Sequence, residues 1–311
     1  MSLAFVFPGQ GSQAVGMLSA LAEVYPQVEA TFKEASDALG YDLWSVVANG
    51  PAEKLNNTQV TQPAMLAAGI AVWRIWNAEG GATPVVIAGH SLGEYSALVA
   101  SGALDFADAI KLVAERGRLM QEAVPAGEGA MAAILGLDDQ AVKDLCSASA
   151  EGEVLSAVNF NAPGQVVIAG TASAIERAVG AAKSAGAKRA LPLPVSVPSH
   201  CALMAGAAEK LAEQLAEITI NSPNIPVINN VDVAAVDSID AIQAALAKQL
   251  HQPVRWVETI QKMAADGVDT LIECGPGKVL VGLNKRINKE MTGLPVFDPD
   301  SLQKALEAIN G

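Results

Sequence analysis

The chain has 311 residues, 51% of them apolar and only 17% charged, the profile of a packed α/β protein rather than a disordered chain. Its net charge of −13, with no dense Lys/Arg block, argues against a nucleic-acid partner, whose phosphates the overall field would repel. Cys146, Cys201 and Cys274 are far apart and odd in number, so they suggest neither a disulfide framework nor a metal site and read as reduced thiols near a core.

In chain order, Leu3-Ala4-Phe5-Val6-Phe7 is a short apolar run ended by Pro8-Gly9, which predicts a buried strand leading into a tight loop. Residues 62–79 carry Met65, Leu66, Ile70, Val72, Trp73 and Trp76 at helical spacing until Gly80-Gly81 stops them. Within them, the apolar stretch 64–76 is interrupted by Arg74 and too short to span a bilayer, and no basic region precedes an apolar one at the N-terminus, so the expectation is a cytoplasmic protein without membrane contact. Residues 84–88 read as a second buried strand, and a helical run follows Gly89-His90-Ser91-Leu92-Gly93. Strand, sharp turn and helix come in the order that a nucleophile elbow requires.

The middle of the chain alternates differently: strand (130–137), helix (138–150), strand (154–160), strand (165–169), helix (171–185) and an extended, proline-containing stretch (188–195). That β-α-β-β-α-β order predicts a small ferredoxin-like subdomain inserted at 125–198. Residues 1–124 and 199–311 then form a larger α/β catalytic subdomain, with further strands at 225–231 and 269–274 and helices at 239–250 and 254–265. The alternation favours a hydrolase-like, mostly parallel sheet flanked by helices.

Chemistry concentrates at residues 89–93. Glycines on both sides of Ser91 permit a strained turn that projects its hydroxyl above a sheet edge, and the following helix N-terminus favours the negative charge that develops in acyl transfer. A serine hydroxyl needs a base within reach, and the chain offers three histidines. His90 is adjacent to Ser91 and reads as support for the elbow; His251 lies at a helix end, in a capping or surface position. His200, on the proline-stiffened Val197-Pro198-Ser199-His200 loop, is the preferred base.

These residues carry a resemblance. Phe7-Pro8-Gly9-Gln10-Gly11-Ser12-Gln13, Gly89 to Gly93 extended through Glu94-Tyr95-Ser96, Glu115-Arg116-Gly117, Asn159-Phe160-Asn161 with Pro163-Gly164-Gln165, Val197 to His200 and Gly275-Pro276-Gly277 occur in the order found in one family. Over nearly its whole length the sequence resembles the malonyl-CoA:acyl carrier protein transacylases of type II fatty-acid synthesis, which are related to polyketide synthase acyltransferase domains. The resemblance implies Ser91 and His200 as catalytic residues, backbone amides of Gln10 and Leu92 as the oxyanion hole, and Arg116, Gln249 and Asn161 as substrate-binding residues. It implies that Arg116 pairs with the free carboxylate of the malonyl group, and that the main-chain carbonyl of Gln249 holds the second nitrogen of His200, with no aspartate required. The implied reaction is a double displacement through a malonyl-serine, with malonyl-CoA and acyl carrier protein as partners and neither metal nor redox cofactor. A monomer is the default expectation.

Weaker signals compete. Gly9-Gln10-Gly11-Ser12-Gln13-Ala14 after a strand fits the dinucleotide-binding pattern, with Glu29 and Glu34 near the distance of a ribose-binding acid, but no second strand bounds the segment as that fold demands. A serine hydrolase shares the elbow, and a carrier-binding scaffold with a dead site is a third reading that intact Ser91 and His200 oppose. Cys201 beside His200 reads as a small apolar residue rather than half of a Cys–His pair. Lys188, Arg189, Lys278, Lys285 and Arg286 are candidate cations for docking an acidic carrier or, equally, scattered solvated charge.

Overall fold

The computed structural model describes residues 2–195 and 197–310. Its strands are β1 (Leu3–Phe7), β2 (Val86–Gly89), β3 (Gly129–Leu135), β4 (Leu155–Ala162), β5 (Gln165–Thr171), β6 (Arg189–Pro192), β7 (Val227–Ile228), β8 (Thr270–Cys274) and β9 (Thr292–Val296). They form a five-stranded sheet of order β7-β2-β1-β8-β9 and a four-stranded sheet of order β4-β5-β3-β6.

Every neighbouring pair in the larger sheet is parallel. Parallel strands need crossover connections, which cover both faces with helices and explain why β1, a continuous apolar run, and β8 are buried along their whole length. The helix Thr58–Ala78 supplies one such cover, with the rings of Trp73 and Trp76 edge-on to Phe5 at 5.2 and 5.3 Å. It begins four residues before the predicted start, because Asn57 caps it by accepting from the Gln59 amide and Pro63 is accommodated inside the helix rather than opening it.

The smaller sheet is antiparallel throughout. Alternation along β5 sends Val166 and Ile168 toward the helices Asp139–Ala150 and Ala172–Ala182, while Val167 and Ala169 pack with Met131, Val158 and Cys201 on the opposite face. Strand β4 also ties this sheet to the larger one: the Phe160 amide donates to the Val254 carbonyl (3.0 Å) and the Val254 amide to that of Val158 (2.8 Å).

The expected mostly parallel sheet flanked by helices is present, with a separate antiparallel sheet beside it. Two details differ from the sequence reading. β7 is two residues long, since the chain turns at Asn229-Asn230 instead of continuing to residue 231. β9 was not anticipated; Gly293 and Pro295 mask it, and both are tolerated because it is an edge strand. As the sequence reading expected, no second strand bounds the segment after β1: the short helix Ser19–Ala22 is followed by further helices and the next strand comes at Val86, so the glycine loop does not open the strand–helix–strand unit that dinucleotide binding requires.

Candidate active site

The order β7-β2-β1 sets the carboxyl ends of three parallel strands side by side, so that the loops leaving them, at Asn229-Asn230, His90-Ser91 and Pro8-Gly9-Gln10, converge on one edge. Two glycines let them close. A Cβ on Gly89 would stand 1.8 Å from the Gly93 carbonyl carbon, and one on Gly93 would stand 2.0 Å from the Phe7 carbonyl oxygen. Ser91 occupies the turn between them with φ +51°, a left-handed conformation that L residues adopt only when their surroundings hold them there. His200 is held similarly, at φ +65°.

The structure brings these two residues together. Ser91 Oγ is 2.8 Å from His200 Nε2, and His200 Nδ1 is 2.6 Å from the Gln249 carbonyl oxygen. A carbonyl only accepts, so Nδ1 carries the proton and Nε2 is free to accept one from the serine. The imidazole is 3% exposed. Burial first, and then the nearby Arg116 charge, push its pKa down to about 3, so it is a neutral base.

Arg116, on the helix Phe106–Ala123, lies beside them and is 1% exposed. Its Nη1 donates to Gln62 Oε1 (2.8 Å), and its Nη2 donates to Gln249 Oε1 (3.0 Å) and reaches to 3.4 Å from Ser91 Oγ. Its hydrogen bonds thus run to carboxamides rather than to a carboxylate. Its Nε is buried without a hydrogen-bond partner among the described residues. A guanidinium so placed makes no direct hydrogen bond to a carboxylate and keeps the geometry to grip one bidentately.

These groups line a cleft of about 230 Å³ between the two sheets. Gln10 and Leu92 border it next to Ser91, and Met131, Asn161 and Val167 contribute from the smaller sheet. Asn161 Oδ1 accepts from His90 Nε2 (2.7 Å), so His90 joins the elbow to the opposite wall. His251 is half-buried at the end of the helix Ile239–Gln249, with its amide on the Lys248 carbonyl. Cys201 is buried, donates to the Pro198 carbonyl (3.2 Å) and has its thiol pushed up to about 11 by burial. Among the docking candidates, Lys278 precedes cleft-lining Val279, while Arg286 is engaged with the Gln165 side chain and the Pro163 carbonyl. Among the described residues, no group of three or more His, Cys, Asp or Glu is placed to hold a metal, and no helix is long and apolar enough to cross a membrane.

Sequence reasoning missed three residues of this cluster. Asn230 Oδ1 accepts from the Ser91 amide (2.7 Å), Glu94 accepts from Gln249 and from the Asn230 amide, and Gln62 holds Arg116. Of these, Glu94 stood in the sequence only as part of the extended nucleophile motif, with no role assigned, and Asn230 left a signal as a polar pair directly after an apolar strand.

The acyl transferase domain family matches residues 4–298. The chain is 60% identical over 304 residues to the malonyl CoA-acyl carrier protein transacylase of Escherichia coli K12, spanning 98% of each. Among solved structures it is similar to an acyl carrier protein S-malonyltransferase from Vibrio cholerae, with 61% identity and a TM-score of 0.95 over 98% of this chain and 99% of that one. It is also similar to a malonyl-transacylase in complex with its type II PKS acyl-carrier protein, with 57% identity and a TM-score of 0.98 over 99% of this chain and 100% of that one.

Proposed function

The chain belongs to the acyl transferase domain family, and we propose that it moves a malonyl group from malonyl-CoA to the phosphopantetheine thiol of acyl carrier protein through a malonyl-serine at Ser91. The observation that carries this reading is the buried Arg116, its charge facing no carboxylate partner by hydrogen bond, 3.4 Å from a hydroxyl that is itself 2.8 Å from an imidazole. A nucleophile, a base and a carboxylate receptor within one cleft suit an acyl donor that ends in a free acid.

In the first half-reaction Ser91 Oγ attacks the thioester carbonyl while His200 Nε2 takes its proton, and the imidazolium then protonates the departing coenzyme A thiolate. In the second, His200 takes the proton of the carrier thiol, which attacks the malonyl-serine ester, and returns it to Ser91. The amides of Gln10 and Leu92 stabilise the tetrahedral oxyanion in each half. Arg116 holds the malonate carboxylate, and Asn161 contacts the substrate from the other wall. Gln249 serves both, through its carbonyl on His200 and its side chain on Arg116. No redox cofactor or metal takes part in these steps.

We read residues 125–198 as a ferredoxin-like subdomain inserted between 1–124 and 199–311, which form a hydrolase-like catalytic subdomain. Supporting this are the strand order β4-β5-β3-β6 and an elbow that follows a parallel strand. We place the enzyme in the cytoplasm as a monomer that supplies extender units for fatty-acid synthesis.

Ping-pong transfer has a direct test. Without carrier protein, labelled coenzyme A should exchange into malonyl-CoA with the native enzyme and not with Ser91→Ala. Absence of exchange in the native enzyme would contradict the covalent route.

A further inference from the structure

We propose that Glu94 and Asn230 are positioning residues for the transfer: one buried carboxylate behind the elbow seats the backbone of Asn230 and the side chain of Gln249, and the carboxamides of these two residues clamp both backbone groups of Ser91. The inference rests on Ser91 being the acylated residue.

The Ser91 amide donates to Asn230 Oδ1 (2.7 Å), and the Ser91 carbonyl accepts from Gln249 Nε2 (3.1 Å). Asn230 Nδ2 also donates to the Gly89 carbonyl (2.7 Å), so the turn is gripped on both sides of its left-handed residue. Both residues return to a single oxygen: Glu94 Oε2 accepts from the main-chain amide of Asn230 (2.9 Å) and from Gln249 Nε2 (2.8 Å). Through Gln249 the same oxygen is linked to the other working groups, since the Gln249 carbonyl orients His200 and its Oε1 accepts from Arg116.

Energetics single these residues out from ordinary packing. Glu94 is 2% exposed, and Asn230 and Gln249 are fully buried. A buried carboxylate is destabilising unless its hydrogen bonds compensate, and Glu94 lies in the first turn of a short, almost wholly apolar helix, Gly93–Ala100, where an aliphatic residue would satisfy packing alone. What the carboxylate adds is orientation. An elbow whose hydroxyl must stay in line with imidazole and substrate loses rate when it is misplaced by even ~1 Å.

The test is the single-turnover rate of Ser91 malonylation by malonyl-CoA, followed by intact mass on the full-length protein and normalised to the fraction of protein that labels. Asn230→Asp keeps residue size and the acceptor for the Ser91 amide but opposes the Gly89 carbonyl with an oxygen. It should slow acylation by about 10–100-fold while the donor's apparent Kd moves less than about threefold. Glu94→Ala should slow it comparably, and Glu94→Gln, which retains an acceptor oxygen, should restore the rate to within about threefold. Because both residues act through one clamp, Glu94→Ala combined with Asn230→Ala should be no slower than about the worse single variant. Should Glu94→Ala fail to fold, the isosteric Asn230→Asp and Glu94→Gln pair still decides. Near-native acylation by Asn230→Asp, a loss confined to donor affinity, or additive losses in the double variant would each overturn the clamp. If native enzyme does not label at Ser91, the reading of function falls with it; if native enzyme labels and the variants are unaffected, the clamp alone falls.

Discussion

Arg116 is the side chain that most narrows the chemistry of the cleft. A serine–imidazole pair serves any acyl group, whereas on the proposed reading a buried guanidinium facing carboxamides would select one that carries a free carboxylate. Arg116→Ala should lower kcat/KM for malonyl-CoA by about 30-fold or more, since truncating one partner of a buried charge pair costs about 2–5 kcal/mol. For acetyl-CoA it should change kcat/KM by less than about threefold; equal losses on the two donors would refute the assignment. The same cation acts on His200, whose pKa burial and Arg116 push down to about 3. The sign follows. A folded value below the ordinary ~6.5 keeps the imidazole neutral and basic through the range where a free histidine protonates, so the acid limb of kcat/KM should lie well below pH 6.5. Arg116→Met, by removing the charge, should shift that limb upward, and a native limb near 6.5 would contradict this electrostatic account. The unfolded chain takes up that proton first, so His200 also removes stability as pH falls from about 6.5 toward 3. Ser91 and His200 were legible as a nucleophile motif and a histidine on a stiff loop, but Arg116 stood out only by resemblance, for a lone arginine on a helix has no pattern of its own. Glu94 and Asn230 were hidden because their partners lie more than a hundred positions away and include backbone groups.

At the level of elements, the elbow works because two strands and a helix approach more closely than side chains allow. Gly93→Ala would set a methyl group 2.0 Å from the Phe7 carbonyl oxygen, an overlap that only backbone movement relieves. We expect at least about a tenfold loss of kcat/KM together with a lower thermal midpoint, because rigid surroundings cannot absorb such a clash; native-like values of both would show that the approach is not needed. Glu273 plays a comparable structural part at the end of β8. It is buried and accepts from the amides of Leu280 (3.0 Å) and Val281 (2.7 Å), fixing the start of the helix Val279–Ile287, whose Val279, Leu280 and Leu283 line the cleft. Element types were largely readable from apolar period and turn residues. Boundaries were less so where capping decided them, as at Asn57, and β9 escaped because glycine and proline interrupt its pattern.

The whole molecule places its chemistry between two sheets of different construction. Ser91 sits at the carboxyl edge of the parallel sheet, Arg116 on the helix Phe106–Ala123 and His200 on the segment after β6, and the antiparallel sheet closes the cleft with Met131, Asn161 and Val167. Ties across the boundary, from β4 to Val254 and from His90 to Asn161, hold the two walls in register. That division was visible in the sequence as a change of alternation, because βαβ crossovers and hairpins leave different spacings. The spatial convergence of the loops was not, since it depends on strand order. With a net charge of −13, docking of an acidic carrier would rely on local cations near the cleft mouth, of which Lys278 is the nearest in sequence to its lining. The most direct measurement is mass spectrometry of the protein after malonyl-CoA, with peptide mapping, followed by addition of carrier protein. One malonyl group should appear on Ser91 and then pass to the carrier; an unmodified Ser91, or a label on another residue, would contradict the account.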